Sequence, residues 1–245
     1  RGAADAGALS NAGLAAAIDG LFNSFQSFAA RPTDDGERQS LLQKAGILVD
    51  RFQLADARLA QVQSDLNAEV ANDVAAVNRL LGTIAELNSQ IGRFDINAPG
   101  TAIDLRDQRQ ARLEELAAKL PIEIRDTSTG QVQVVTKDAG GADIVLVNLA
   151  VVLGTVAFNG TQVTAGAGAT PVALASGSIK GALNARDGGV QTLRDDLDKL
   201  ARQMVTSVNA AYNPTGTTGN FFNPAGTAAG SIALVNTLTA ATLKA

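Results

Sequence analysis

The sequence predicts an α+β protein: an elongated antiparallel helical bundle with a small antiparallel β domain inserted between its helices. Apolar residues recur at spacings of three and four through residues 45–91 and again through 190–208, the pattern of a buried helical face. Between these stretches the period changes to the alternation typical of strands. We expect four parts: the first part of the bundle at 1–120, the β domain at 121–177, the second part of the bundle at 178–212 and an irregular segment at 213–245.

The first predicted helix covers residues 14–28, where large apolar residues share one helical face. It should end near Arg31, because the residue before a proline avoids helical geometry and Pro32 has no amide hydrogen to donate. The next helix should begin at Asp34, whose carboxylate can accept hydrogen bonds from the first helical amides. Glu37 would reach back to the amide of Asp34 and complete a capping box.

The second helix is predicted to be long, from residue 34 to residue 92. Its apolar seam repeats at three and four except at Leu66, Val70 and Val74, where two spacings of four should locally unwind a supercoil. Such a helix needs a partner surface, since most helical stability comes from packing. We expect residues 103–120 and a second apolar stripe to supply it. The second stripe consists of Val190, Leu193, Leu197, Leu200, Met204 and Val208.

The β region should contain two hairpins. The first pairs residues 122–125 with residues 131–134, where apolar and polar side chains alternate. The second pairs residues 156–158 with residues 161–163 through Asn159-Gly160, the pair best suited to a two-residue type I′ turn.

The last part of the chain, residues 213–245, is rich in Asn, Pro and Gly and is predicted to be irregular. Phe221 and Phe222 are its only adjacent pair of large aromatic residues. We expect this pair to anchor the segment on the helices.

The composition excludes several kinds of chemistry. The chain has no Cys and no His, so thiolate nucleophiles, disulfides, thiolate metal ligands and imidazole bases are all ruled out. The formal charge of −4 and the lack of long like-charged runs argue against a nucleic-acid partner. No stretch of 18 uncharged apolar residues is present, so a membrane partner is not expected.

Paired carboxylates and glycine-rich stretches are the candidate sites that the sequence offers. Adjacent acids in a helix do not face each other, as the two acids of a glycosidase must, so we interpret the three acidic pairs as solvated faces and caps. The polar cluster at residues 104–109 could be a ligand site, but its two Arg favour structural ion pairing. The glycines at 140–141 and 166–168 fit no phosphate-binding motif, and the match of Asn159-Gly160-Thr161 to a glycosylation motif is explained by the turn. The acidic pairs are Asp34/Asp35, Glu114/Glu115 and Asp195/Asp196.

We therefore expect no catalytic residue, no metal ligand and no cofactor site. The chain begins at Arg1 and ends in an apolar-rich stretch, which suggests a piece of a longer protein.

An ordered set of residues resembles the first hook-associated protein of bacterial flagella, the FlgK family of the hook–filament junction. The set includes Arg38, Asn78, Asn88 after Leu87, and the cluster Asp104-Leu105-Arg106-Asp107-Gln108-Arg109. The similarity resumes at Gly181 and continues through Leu197, Leu200-Ala201, Val208-Asn209 and Gly219-Asn220-Phe221-Phe222. The chain departs from the family at Arg106, Gln110 and Tyr212, where a Leu, an Asp and a His are usual.

The resemblance implies a secreted axial protein that is exported by the flagellar type III apparatus and works outside the cell. It implies that the bundle forms the wall of a tube, that the β domain faces outward, and that the terminal helices needed for assembly lie outside this chain. The implied partners are the hook protein, the second junction protein, copies of the protein itself and an export chaperone for the C-terminal region. We expect the 245-residue chain alone to be a monomer.

Two alternatives remain open at this point. Flagellin or the second junction protein shares the small-residue composition and the long helices, but would not be expected to carry the cluster at 104–109. A cell-wall hydrolase would need two carboxylates that converge in a cleft.

Overall fold

The computed structural model describes residues 2–97, 101–217 and 219–244, which form two compact units. The first unit contains the residues up to Val62 and those from Val190 onward, and the second contains Gln63–Gly189. Helices together with antiparallel sheets confirm the predicted α+β class. In order, the elements are α1 (Gly2–Ala30), α2 (Asp35–Asn97), α3 (Ile103–Ala117), β1 (Glu123–Asp126), β2 (Val132–Lys137), β3 (Asp143–Asn148), β4 (Val151–Val152), β5 (Val156–Phe158), β6 (Val163–Ala165), β7 (Thr170–Pro171), α4 (Ser178–Asn184), a π-helical turn (Ala185–Val190) and α5 (Gln191–Tyr212).

The first unit is a helical core closed by the C-terminal segment. Phe221 and Phe222 are fully buried, and the ring of Phe221 lies 5.0 Å from that of Phe25 and 5.4 Å from that of Tyr212. Both phenylalanines, which the sequence analysis expected to anchor this segment, thus lie in the core that the segment shares with α1, α2 and α5. The same core contains Leu21 and Phe28 of α1, Leu41, Leu48 and Phe52 of α2, and Met204, Val205 and Val208 of α5.

The second unit packs helices against two antiparallel sheets. One sheet has the strand order β1-β2-β3-β4 and the other has β5-β6-β7. Asp126 pairs with Val132 at the predicted first hairpin, which is confirmed. The core combines Val74, Leu81 and Ile84 of α2 with Leu116 of α3, Val134 and Leu146 of the first sheet, Val163 of the second sheet and Ile179 of α4.

The long helix is present, since α2 runs unbroken for 63 residues. The sequence predicted that two helical segments, residues 103–120 and the stripe at 190–208, cover its apolar seam, but the strands cover part of the seam as well. Residues 41–52 contribute to the core with α5, whereas residues 70–85 contribute to the core with the strands. No side chain between residues 53 and 69 is buried, and the predicted stutter begins in that stretch. The pattern identified the apolar face of the helix but not the element that covers it.

The compact units therefore differ from the predicted domains. The strands lie inside the predicted insertion of 121–177, but the second unit also includes residues 63–120 and residues 178–189, which were predicted to belong to the bundle. The boundary falls inside α2, because the apolar residues after it share a core with the strands. Arg1, residues 98–100, Thr218 and Ala245 lie outside the described residues.

The apolar stripe predicted for α5 is partly wrong. Leu193 is 56% exposed and Leu200 is 37% exposed, whereas Ala201 and Val205 are buried beside Met204. More than one row of residues on a helix can repeat at spacings of three and four. The predicted row lies partly to one side of the face of α5 that is buried.

Two local predictions also need correction. Asp34 caps α2 through hydrogen bonds from the amides of Gly36 and Glu37, but Glu37 pairs with Arg31 and does not close a capping box. In the second hairpin, Phe158 pairs with Val163, so the loop has four residues in place of two. The Asn159 side chain accepts hydrogen bonds from the amides at 161 and 162, which stabilises this longer turn.

In the part of the chain that the structure describes, no helix has both the length and the apolar character needed to cross a membrane.

Candidate functional site

A buried side-chain amide, Asn88, connects α2 to the first sheet and to α3. Its Nδ2 donates hydrogen bonds to the carbonyl oxygens of Val132 at 2.9 Å and Leu149 at 2.7 Å. Its Oδ1 accepts from the amide of Val132 at 3.2 Å and from Nη1 of Arg109 at 2.9 Å. The hydrogen-bonding atoms of this amide are thus all satisfied, as a buried polar group requires.

Arg109 is the buried member of the polar cluster at residues 104–109. The same Nη1 that reaches Asn88 also donates to the carbonyl oxygen of Gly130, in the β1–β2 turn, at 2.9 Å. Next to it, Gln131 Nε2 donates to the carbonyl oxygen of Asn88 at 3.0 Å. Arg109 therefore joins α3 to α2 and to the turn, a role that the ion-pair interpretation of the cluster did not include.

A second asparagine of α2, Asn78, holds the start of β5. Its Nδ2 donates to the carbonyl oxygen of Val156 and its Oδ1 accepts from the amide of the same residue, both at 2.8 Å. The side chain thus pairs with Val156 as a neighbouring strand would.

A third asparagine, Asn67, acts through Arg186 in the π-helical turn. Arg186 Nη1 donates to Asn67 Oδ1 at 2.7 Å and to the carbonyl oxygen of Gly160 at 2.8 Å, and Nη2 donates to that of Thr161 at 3.0 Å. Arg186 also pairs with Asp187, and these hydrogen bonds lower the pKa of that carboxyl group. Arg186 thereby connects the β5–β6 loop to the π-helical turn and to α2.

Asn67, Asn78 and Asn88 lie eleven and ten residues apart on α2. Three helical turns take about eleven residues, so the three side chains lie along one side of the helix. This is the side that packs on the strands, and each asparagine serves a different backbone segment. Sequence reasoning singled out Asn78 and Asn88 through resemblance alone and missed Asn67. The available signal was a polar residue repeated every three turns beside an apolar seam.

In the first unit, Arg38 holds the end of the chain. Its Nε donates to the carbonyl oxygen of Pro32 at 2.7 Å, and its Nη1 donates to those of Ala240 and Leu243 at 2.7 and 2.8 Å. The guanidinium also lies over the ring of Phe28, 5.6 Å from its centre. One side chain thereby connects the α1–α2 turn to a segment about two hundred residues away.

Asn209 holds the phenylalanine pair in the same manner. Its Oδ1 accepts from the amides of Phe221 and Phe222 at 3.0 and 2.8 Å, and its Nδ2 donates to the carbonyl oxygen of Phe222 at 2.9 Å. The two rings are buried because the backbone that carries them is held against α5 in this way.

One acidic group in the second unit has two partners. The carboxylate of Asp73 accepts from Lys119 Nζ at 2.5 Å and from the hydroxyl of Ser178. Partial desolvation acts to raise the pKa of Asp73, but the hydrogen bonds from Lys119 and Ser178 outweigh it and hold that pKa below its ordinary value of 3.8. The group joins α2, the end of α3 and the start of α4.

The acidic pairs of the sequence lie on helix surfaces or at a cap. Glu114 accepts from Gln110, Glu115 pairs with Arg112, and Asp195 and Asp196 accept from Gln191 and Lys199. Among the described residues, no group of three or more acidic side chains is placed to hold a metal ion. The expectation of no catalytic or metal site stays a prediction.

Cavities large enough to hold a small ligand lie in both units of the described structure. An apolar groove of about 490 Å³ lies between α1 and α5, and its lining includes Phe22, Ser207, Tyr212 and Lys244. None of the described residues that line it carries a carboxylate. A cleft of about 410 Å³ between α2 and α3 has Glu115 as its single acid. Neither cavity contains the two facing carboxylates that hydrolysis of a glycoside requires.

The polar residues of the described chain that stand out by burial and bonding thus hold backbone segments in place. Comparison with known proteins is consistent with this arrangement. Residues 6–222 match the model of the flagellar hook-associated protein FlgK helical domain. Flagellar hook-associated protein 1 of Salmonella typhimurium is 26% identical over 232 residues, which cover 85% of this chain and 40% of that protein. The Escherichia coli protein of the same name is 29% identical over 116 residues, 47% of this chain and 21% of that protein.

A solved structure shares the fold of this chain. The structure of the flagellar hook junction protein FlgK from Burkholderia pseudomallei has a TM-score of 0.69 and 23% sequence identity, and the match covers 83% of this chain and 38% of that one. The chain spans 40% of the length of the Salmonella relative, so it corresponds to part of such a protein. Because the family model matches far more than half of its residues, this chain belongs to the FlgK family of flagellar hook-associated proteins, in the region of their helical domain.

Proposed function

We propose that the chain is a structural, non-enzymatic part of an axial flagellar protein that joins the hook to the filament. The observation that carries the proposal is the match of residues 6–222 to the helical domain of FlgK. The relatives are named as hook-associated proteins, and the structural neighbour is named as a hook junction protein.

The use of the polar side chains supports a structural role. Asn88, Arg109, Arg38 and Asn209 come from the set of residues that resembles the family. Each of them donates to or accepts from backbone atoms of a loop, a strand or the C-terminal segment. Residues of this kind set the shape of a surface that other subunits can recognise, whereas a catalytic group would face a substrate.

The proposed partners are the hook protein, the second junction protein and further copies of the same protein, with a chaperone during export. The proposed location is outside the cell, at the distal end of the hook. These assignments extend the names of the relatives to this chain.

Immunogold labelling with antibodies raised against the 245-residue chain tests the proposal in the bacterium that encodes it. We expect gold at the distal end of hooks, including hooks that carry no filament. Gold spread along whole filaments would indicate flagellin, and gold over the cell wall without hook labelling would contradict an axial role.

Deletion of the gene provides a second readout. Cells should then assemble hooks but no attached filaments, and should not swim. Normal filaments in the deletion strain would contradict a junction role.

A further inference from the structure

One face of α2 in the first unit points away from the core and alternates apolar with cationic residues. Ile47, Arg51, Leu54 and Arg58 follow at spacings of four, three and four, so they lie on one side of the helix. All four are exposed, with Ile47 at 39% and Leu54 at 43%. Within the described residues neither arginine forms an ion pair. We call these four residues the α2 stripe.

A second exposed row lies on α5 of the same unit and alternates apolar with anionic residues. Leu193, Asp196 and Leu200 follow at spacings of three and four. Asp196 pairs with Lys199 at 2.8 Å, but both side chains are well exposed, and such a pair is weak and easily exchanged. We call Leu193, Asp196 and Leu200 the α5 stripe.

We propose that the α2 stripe of one copy of this chain binds the α5 stripe of a second copy, with the two helices antiparallel. Along α2 the steps are four residues and then three, about 6 and 4.5 Å, and along α5 read in the opposite direction they are also four and then three. An antiparallel contact therefore gives each of the three residues of the α5 stripe a partner on the α2 stripe and leaves only Arg58 beyond the last pair, whereas a parallel contact offsets the charges by one residue. The matched pairs are Ile47 with Leu200, Arg51 with Asp196, and Leu54 with Leu193.

The partner must be another copy, because the α2 stripe cannot meet α5 of its own chain. In one chain α5 shares a core with the opposite face of α2, the face of Leu41, Leu48 and Phe52. The charges are complementary, cationic on α2 and anionic on α5, and complementary charges fix the register of two surfaces.

The contact joins two different surfaces, the α2 stripe and the α5 stripe. In a pair of copies, the α5 stripe of the first copy and the α2 stripe of the second can therefore each bind a further copy. Such a heterologous contact repeats into a ring or a helical assembly. Three residue pairs bury far less than the area of a stable complex, so an isolated chain should be monomeric when dilute and associate when concentrated. This inference rests on the proposed axial function, in which many copies repeat one contact.

Cysteine crosslinking tests the contact directly, because the chain has no cysteine of its own. A chain with Leu54→Cys is mixed with a longer-tagged chain with Leu193→Cys under mild oxidation. We expect the mixed disulfide dimer to exceed both homodimers several-fold. The matched control replaces the second chain with Arg202→Cys, an exposed position on another face of α5, and should give only the background of random collision.

Charge reversal then tests the register. Arg51→Glu in the first chain should lower the yield of the mixed dimer several-fold, and Asp196→Arg in the second should restore it. Interaction between the two changes in such a cycle reports a direct contact. Thermal melts monitored by circular dichroism confirm that each variant folds. Equal yields with Leu193→Cys and Arg202→Cys, homodimers of Leu54→Cys as the main product, or no rescue by the second reversal would each overturn the proposal.

The test is independent of the proposed function. The crosslinking measures only the contact between chains, whereas immunogold labelling measures location. Correct labelling without crosslinking would overturn the contact and leave the function standing. Specific crosslinking without hook labelling would overturn the function and retain the contact.

Discussion

Arg109 and Asn88 share a buried hydrogen bond of 2.9 Å that joins α3 to α2. The two residues are 21 positions apart, and both also bond to backbone atoms of the first sheet or its turn. The β region is therefore attached to the helices by side chains whose partners are carbonyl and amide groups. Loss of the Asn88 side chain removes the side-chain partner of buried backbone atoms of Val132, and loss of Arg109 removes a buried donor to Asn88; either loss costs more than that of an exposed hydrogen bond.

We expect Asn88→Ala to lower the free energy of unfolding by about 2 to 4 kcal/mol, because it removes the hydrogen bonds that Asn88 makes with the backbone of Val132 and Leu149 and with the Arg109 side chain. Asn88→Asp should not rescue the loss, since a carboxylate would face two carbonyl oxygens where Nδ2 now donates. Urea unfolding followed by circular dichroism measures the change. Asn72→Ala, an exposed position on the same helix, is the matched control and should change stability by less than about 0.5 kcal/mol.

Gly177 and Gly181 offer a pair of glycine substitutions with opposite results. Gly177 has φ of 90°, and a Cβ there would lie 2.4 Å from the carbonyl oxygen of Lys119. Gly177→Ala should therefore destabilise the chain by about 2 kcal/mol or more, from strain and from displacement of backbone. Gly181 lies within α4 with open space around it, so Gly181→Ala should be neutral or stabilise by up to about 1 kcal/mol. Comparative thermal melts distinguish the two, and equal effects would contradict the close approach at Gly177.

Asp73 should make stability depend on pH in acid. Its folded-state pKa lies below the ordinary value of 3.8, because Lys119 and Ser178 donate to the carboxylate against the effect of desolvation. The stabilisation is therefore present above about pH 4 and is lost as the pH falls through the lower folded-state pKa. Thermal melts between about pH 2 and pH 6 cover the range in which carboxyl groups titrate. The melting temperature of Asp73→Asn should depend less on pH in this range than that of the parent chain.

The control for this titration is Glu69→Gln, an exposed acid on the same helix. It should leave the acid dependence of the melting temperature nearly as it is in the parent chain. If Asp73→Asn behaves like Glu69→Gln, the hydrogen bonds from Lys119 and Ser178 do not stabilise the charged carboxylate.

Arg38→Ala should release the C-terminal segment before the helices unfold. The substitution removes the donors to Ala240 and Leu243, while most of the helical core is unchanged. We expect limited proteolysis to cleave near residues 236–244 several-fold faster than in the parent chain. Lys44→Ala, an exposed cation on α2, serves as the control and should leave the cleavage rate unchanged. Arg38→Lys should rescue only partly, because one ammonium cannot reproduce the planar set of donors.

The sequence by itself determined the elements that local physics controls. The spacing of apolar residues defined the long helix α2, and Pro32 fixed the end of α1 at Ala30. Strand alternation located the first hairpin, and the adjacent aromatic rings identified Phe221 and Phe222 as an anchor. The ordered set of matching residues was sufficient to indicate the family that the comparisons then established.

Only the tertiary structure decided which surfaces meet. A seam repeated at three and four residues is the same whether α5 or a sheet covers it, so the sequence could not show that α2 contributes to two cores. For the same reason Leu193 and Leu200 were indistinguishable in the pattern from buried residues. The partners of Asn88 and Arg38 are mostly backbone atoms. Every residue has the same backbone carbonyl group, so the residue types in the sequence do not show which carbonyl a side chain will bind.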